Sequence, residues 1–152
     1  MANKQDNPVL RLERFFPYRL SILSNKVSGI IADTYKDKFA ISITEWRIMA
    51  VLGECPNISA DEISAKTQIE KSILSRSVNK LLKRKLIERN MAQDDRRRSI
   101  IRLSATGKSV YEEIVPLSYQ YERALLECFS KEEQSQFSHL IDRLYEHASA
   151  LK

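Results

Sequence analysis

Residues 69–104 read IEKSILSRSVNKLLKRKLIERNMAQDDRRRSIIRLS, a helix-forming run followed at once by two short alternating segments around a basic turn. At roughly 100° per residue, Ser72, Ser75, Arg76, Asn79, Lys80 and Lys83 share one polar arc of a helix over about 70–84. Ile73, Leu74, Val78, Leu81 and Leu82 fill the complementary arc. One arc is suited to packing, and the other presents hydrogen-bond donors to something outside the chain. Segments 86–91 and 99–103 then alternate as strands do, and the polar run between them predicts a β-hairpin with Arg96, Arg97 and Arg98 at its tip.

Upstream, Ser59 and Glu62 have the spacing of a capping box for a short helix ending near Thr67, with Ile63 and Ala65 as its small apolar content. A break at Thr67 and Gln68 separates it from the helix over 70–84. Two short helices joined by a tight turn, the second with a polar outer face, have helix-turn-helix form, and the hairpin adds a wing. Thr44 is the expected cap of a further helix over 45–53, carrying Trp46, Ile48, Met49, Val51 and Leu52, with Gly53 and Pro56 as its stop. A first helix is expected from near Pro17 to about Lys38, with Leu20, Leu23, Val27, Ile30 and Ile31 at helical spacing. Phe15, Phe16 and Tyr18 before it are too apolar for a free tail and should pack on this chain or on a second copy.

Downstream, Ser104 should cap a long helix to about 129, interrupted at Pro116 by a kink near Glu112. Ser130 and Glu133 predict a second capping box, and Phe137, Leu140, Ile141, Leu144, Ala148 and Leu151 stripe the helix that follows. The first helix and the last two have apolar faces and no strands to cover. The expected architecture is therefore mainly α with a small β-hairpin wing. It is one domain over 1–152, with a DNA-binding lobe at 40–104 and dimerisation helices at 10–38 and 105–152. Pairing between two chains is favoured because a two-fold dimer doubles the contacts on a palindromic site.

Charge supports a polyanion partner. The chain carries +5 overall, but residues 66–102 hold twelve Lys and Arg against four Asp and Glu, whereas the remainder is net acidic. Such concentration marks a binding surface, where a uniform excess would bear mainly on solubility. Three glycines and four prolines argue against an all-β sandwich. No signal peptide, lipidation motif or run of 18 apolar residues is legible, so a cytoplasmic protein without a membrane partner is expected. Cys55 and Cys128 have no CxxC spacing and are expected as buried free thiols.

The order of helix-turn-helix, wing and flanking helices resembles the MarR family of bacterial transcription regulators over nearly the whole chain. The most specific part is the wing pattern Asp95, Arg96, Arg97, Ile100, Ile101, Leu103, Ser104 and Gly107, and Ser75 and Arg76 fit the recognition-helix core. Two positions depart from the family. Lys85 stands where glycine is usual, and a left-handed lysine would cost of order 1 kcal/mol, so that helix end is expected to close differently. Ser104 stands where threonine is usual and keeps the capping oxygen. The segment PYRLSILSNKVS at 17–28, with Pro116, Leu117 and YERALL at 121–126, is similar to a subgroup controlling aromatic-acid and hydroxycinnamoyl-CoA breakdown. That resemblance implies an aromatic acid or its CoA thioester as effector, bound where the dimer helices meet the DNA-binding lobe, with Arg19 as a candidate for its anionic group. Tyr18, Trp46, Tyr111 and Tyr119 are candidates for lining such a pocket, although packing is their more economical role.

On this reading Lys71, Ser72, Ser75, Arg76, Asn79 and Lys80 enter the major groove, where arginine can pair with guanine and asparagine with adenine. Arg96, Arg97 and Arg98 meet phosphates or the minor groove, Asp95 orients Arg97, and Lys83, Arg84 and Arg89 add non-specific attraction. A homodimeric repressor is the implied function. A nucleoid-type binder without sequence choice would use the same basic surface, and a thiol-sensing regulator would need an accessible, low-pKa cysteine. An enzyme is not expected: His139 and His147 lie eight apart near Asp142 and Glu146, without HExxH, P-loop, GxGxxG or GxSxG. No cofactor or metal is expected. Arg97→Ala should abolish tight DNA binding while leaving the fold intact; wild-type affinity of that variant in an anisotropy titration would contradict the wing assignment.

Overall fold

Leu74, Ser77, Val78 and Leu81 recur at three- and four-residue intervals and are all buried, which turns one side of the basic helix inward and leaves its polar side out. The computed structural model describes residues 8–91 and 99–151. A short 3-10 turn, Leu12–Arg14, precedes α1 (Phe16–Phe39), α2 (Ile43–Glu54), α3 (Ala60–Thr67) and α4 (Lys71–Lys83). Strands β1 (Ile87–Met91) and β2 (Ser99–Leu103) follow, then α5 (Ala105–Leu126) and α6 (Lys131–Ala150). The chain divides into two compact units, one ending at Glu112 and the other beginning at Glu113.

In the first unit, Tyr35 of α1, Ile48, Met49 and Leu52 of α2, Ile63 of α3 and Ile101 of β2 join the α4 stripe in a core that excludes solvent. Truncating any of these large aliphatic residues would cost about 2–5 kcal/mol. Ile63 is fully buried and Ala65 is exposed, so one side chain anchors α3. The strands pair antiparallel, with Ile87 opposite Leu103, Glu88 opposite Arg102 and Arg89 opposite Ile101. Ile58 forms an isolated antiparallel bridge to β2 through two backbone hydrogen bonds with Ile101 of 2.8 and 3.3 Å. Asn57 before it takes a left-handed conformation, which asparagine tolerates better than most residues.

Several boundaries differ from the sequence expectation. Helix α2 is capped by Ser42 rather than Thr44: the Glu45 N–H donates to Ser42 Oγ at 3.1 Å and the Ser42 N–H donates to Glu45 Oε1 at 3.4 Å. Gly53 lies inside α2, which ends at Glu54. Its missing Cβ makes room for the Tyr111 ring, which occupies the space a side chain would need. Helix α5 is not interrupted at Pro116 and ends at Leu126, short of 129. Proline removes the N–H that would meet the Glu112 carbonyl, and Glu112 is the residue at which the first unit ends. Neither cysteine is buried as expected: Cys55 is half-buried and Cys128 exposed, its thiol donating to the Leu125 carbonyl at 3.7 Å. The predicted cap of the last helix is present, with Ser130 and Glu133 bonded reciprocally.

The end of α4 closes through Lys85 itself, at φ 59°, and not by an alternative route. The Leu86 N–H donates to the Leu81 carbonyl and the Lys85 N–H to that of Leu82, both at 3.0 Å. This is the paired closure normally built around glycine. Ser104 Oγ then donates to the Lys85 carbonyl at 2.7 Å and accepts from the Gly107 N–H at 3.0 Å, and the Ser104 N–H donates to the Leu86 carbonyl at 3.0 Å. A Cβ on Gly107 would overlap that Leu86 carbonyl oxygen. Relief of the left-handed strain, offset by a more flexible unfolded chain, should make Lys85→Gly more stable by up to about 1 kcal/mol. A rise in the thermal unfolding midpoint checks this, and a fall would show that the lysine side chain contributes more than its backbone conformation costs.

Candidate nucleic-acid interface

Helix α4 is positioned from three sides. Its apolar stripe rests on the core, its C-terminal end is held by the Lys85–Ser104 closure, and its N-terminal end follows a tight turn from α3. That turn is fixed by side chains: Ser64 Oγ donates to the Ile69 carbonyl at 2.8 Å, Thr67 Oγ1 donates to the Ile63 carbonyl at 2.7 Å, and the Ile69 N–H donates to Thr67 Oγ1 at 3.3 Å. Gln68 supplies the left-handed residue between the helices. The two helices therefore meet in the arrangement expected of a helix-turn-helix.

Lys71, Ser72, Ser75, Arg76, Asn79 and Lys80 are all exposed on α4. Two are already engaged within the chain: Lys71 Nζ lies 3.7 Å from Asp61 Oδ1, and Ser72 Oγ donates to Glu70 Oε1 at 3.2 Å. The lysine pair is on the surface and contributes little to stability. Among the described residues, Ser75, Arg76, Asn79 and Lys80 have no side-chain hydrogen bond or ion pair of their own. The first turn of α4 contains no acidic residue, Glu70 stands at its N-cap position, and no side chain hydrogen-bonds to its opening N–H groups, which are left without a partner inside the helix. Lys71 and Ser75 of α4, with Asp61 of α3 and Arg89 of β1, line a recess of about 190 Å³.

Lys83, the last residue of α4, and Arg89 of β1 add two further exposed cations. Asp95, Arg96, Arg97 and Arg98, assigned from sequence to the wing tip, lie outside the described residues. The cross-strand pair Arg102 to Glu88, at 3.0 Å, holds the base of the hairpin.

Arg84 does not belong with the non-specific cations. Its guanidinium donates to the carbonyls of Phe39 (2.5 Å) and Ala40 (2.8 Å) at the end of α1. It also lies 3.9 Å from Glu45, the largely buried carboxylate of the α2 capping box. The helix end of α1, where Ala40 is left-handed, leaves those carbonyls unpaired, and a planar guanidinium satisfies two at once. Ile73, placed by sequence in the packing arc, is 40% exposed; it stands at the border of the buried stripe, one residue before Leu74.

Of the residues proposed for an effector pocket, Trp46 and Tyr111 come together. Trp46 lies between Tyr35 and Tyr111, with ring centroids 5.7 and 5.9 Å away. Burial pushes the Tyr35 phenol above its ordinary pKa, opposed by the nearby Arg47 guanidinium. This column packs α1, α2 and the start of α5. Tyr18 and Arg19 lie in the first turn of α1, the guanidinium 5.2 Å above the Phe16 ring, and Tyr119 is an exposed residue of the second unit. Sequence reasoning missed Tyr35 as the third ring of the column and Arg84 as a clamp; a tyrosine within a helical apolar stripe was the only available signal for the former. Among the described residues, no group of three or more His, Cys, Asp or Glu converges as a metal site. No helix there is long and apolar enough to cross a membrane.

A MarR family model matches residues 41–98, which take in α2, α3, α4 and β1 and stop before β2. The chain is 26% identical over 133 residues to the HTH-type transcriptional regulator BilQ of Clostridium symbiosum, covering 88% of this chain and 92% of that protein. It is similar in structure to BpsR of Bordetella bronchiseptica, with a TM-score of 0.80 at 17% identity, covering 91% of this chain and 98% of BpsR. It is similar in both sequence and structure to a MarR/EmrR family transcriptional regulator from Acinetobacter sp. ADP1, with 31% identity and a TM-score of 0.84 over 93% of this chain and 99% of that one. Helix-turn-helix, hairpin and long flanking helices, together with this likeness, make the chain a member of the MarR family of DNA-binding transcriptional regulators.

Proposed function

We propose that the protein is a cytoplasmic, homodimeric repressor that binds a palindromic operator and releases it on binding an aromatic acid or its CoA thioester. The observation that carries the reading is the outer face of α4, where Ser75, Arg76, Asn79 and Lys80 are exposed with no partner among the described residues. Arg76 and Asn79 have the donor geometry to read guanine and adenine in the major groove, while Lys71, Ser72 and Lys80 hold phosphates. Arg96, Arg97 and Arg98, with Asp95 orienting Arg97, add the wing contact, and 40–104 acts as the DNA-binding lobe.

Dimerisation is supported by apolar surface that the single chain leaves uncovered. On α1, Phe16, Leu20 and Leu23 are 47–68% exposed, and on α6, Leu140, Ile141 and Leu144 are 50–54% exposed. Apolar stripes of this length are partner-covered in stable proteins, and a second copy would bring two α4 faces to successive major grooves. Residues 10–38 and 105–152 then serve as dimerisation helices.

For the effector, support comes from the likeness to BpsR, a protein whose DNA binding is regulated by 6-hydroxynicotinic acid; Tyr18, Arg19, Trp46 and Tyr111 of the first unit are the contacts we assign to it. A ligand of this kind shifts the equilibrium only by binding one conformation more tightly than the other.

Arg76→Ala should reduce the preference for operator over random DNA by about tenfold or more, in line with about 1–3 kcal/mol per bidentate base contact, and leave random-sequence binding nearly unchanged. Equal losses on both DNAs would make Arg76 a phosphate contact. Titration with aromatic acids and their thioesters up to millimolar concentration should lower operator affinity for at least one of them; insensitivity to all would remove this effector class.

A further inference from the structure

On α4, Ile73, Arg76 and Lys80 follow one another at i, i+3 and i+7, so they form a single strip along the helix. All three are exposed, and Ile73 retains 40% of its surface although it is a large aliphatic residue. The core stripe of α4 is already filled by Leu74, Ser77, Val78 and Leu81. Ile73 therefore has no place in that stripe, and it stands in the N-terminal half of the helix, the part that approaches base edges in helix-turn-helix proteins.

A lone exposed isoleucine elsewhere on a surface needs no explanation. On a face that enters the major groove it must meet something. The groove edge is lined by hydrogen-bond donors and acceptors, and an aliphatic side chain pressed on them would strand them without water. The apolar group available there is the C5-methyl of thymine. Resting on the reading that α4 enters the major groove, we propose that Ile73 recognises a C5-methyl-bearing pyrimidine, a thymine in each operator half-site, and so discriminates thymine from cytosine beside the base read by Arg76.

The test uses the full-length wild-type protein and a DNA fragment selected by it from a random pool, with affinities measured by fluorescence anisotropy. Each thymine of the half-site is replaced in turn, symmetrically, by deoxyuridine, which removes only the methyl group. Burying one methyl is worth about a fourfold gain in affinity, so one thymine position should show a loss of about sixteenfold when both half-sites are changed. Ile73→Ala should bind the thymine and uracil fragments alike, and Ile73→Val should keep part of the difference. At the same position in both half-sites, 5-methylcytosine should bind wild type about sixteenfold better than cytosine and bind Ile73→Ala no better, which assigns the effect to the methyl group and not to the base pair. Unchanged circular dichroism and random-DNA affinity show that the variants are folded. Specific binding by wild type with no uracil-sensitive position, or an equal uracil penalty in Ile73→Ala, overturns the assignment while leaving α4 as the reading helix. Failure of wild type to prefer any fragment over random DNA overturns the groove reading, and this assignment falls with it.

Discussion

The hydrogen bonds that meet at Lys85 and Ser104 decide where α4 ends, and the hairpin and the start of α5 depend on that point. One hydroxyl donates to the carbonyl that closes α4 and accepts from the N–H that opens α5, while the adjacent backbone of Ser104 bonds to Leu86 at the start of the hairpin. The end of α4, both ends of the hairpin and the first turn of α5 are thus tied within a few residues. Gly107 permits the close approach, since any side chain there would meet the Leu86 carbonyl. The left-handed Lys85 carries a cost of order 1 kcal/mol, and four hydrogen bonds around it offset that cost.

Cations in the basic stretch divide into two groups with different roles. Arg84 is committed to the carbonyls of Phe39 and Ala40 and to Glu45, and Arg102 pairs with Glu88 across the hairpin. These bind the ends of α1, α2 and the strands together. Arg76, Lys80, Lys83 and Arg89 point into solvent and supply the field and donors that a polyanion would meet. The local excess of positive charge therefore overstates the number of groups free to bind DNA, because some of it holds the fold. The salt dependence of binding counts phosphate contacts and not total charge.

Much of this was legible in the sequence where a local rule had one solution. The periodicity of α4 separated Leu74, Val78 and Leu81 from Arg76 and Asn79, and the S-x-x-E spacing found the cap of α6. The same spacing at Ser42 and Glu45 was available and was passed over for Thr44, which shifted the start of α2. The remaining differences are tertiary. Gly53 looked like a stop because nothing in sequence reveals that Tyr111 stacks over it, and Arg84 looked solvated because its acceptors are more than forty residues away. Ile73 fell in the apolar arc by angle alone; its exposure depends on how far the neighbouring elements reach around the helix. Ile58, a single residue bonded to β2, lacks the alternation by which strands are recognised.

In the proposed function, an exposed face of α4 chooses a DNA sequence while the surrounding cations supply attraction that any duplex would satisfy. The most direct measurement is the ratio of affinities of wild-type protein for a selected operator and for random duplex of equal length, taken at matched salt across a salt series. A sequence-reading α4 gives a ratio of about 10³ or more, with both affinities falling as salt rises. A ratio near one at every salt concentration would contradict it and describe a protein that coats DNA without reading it.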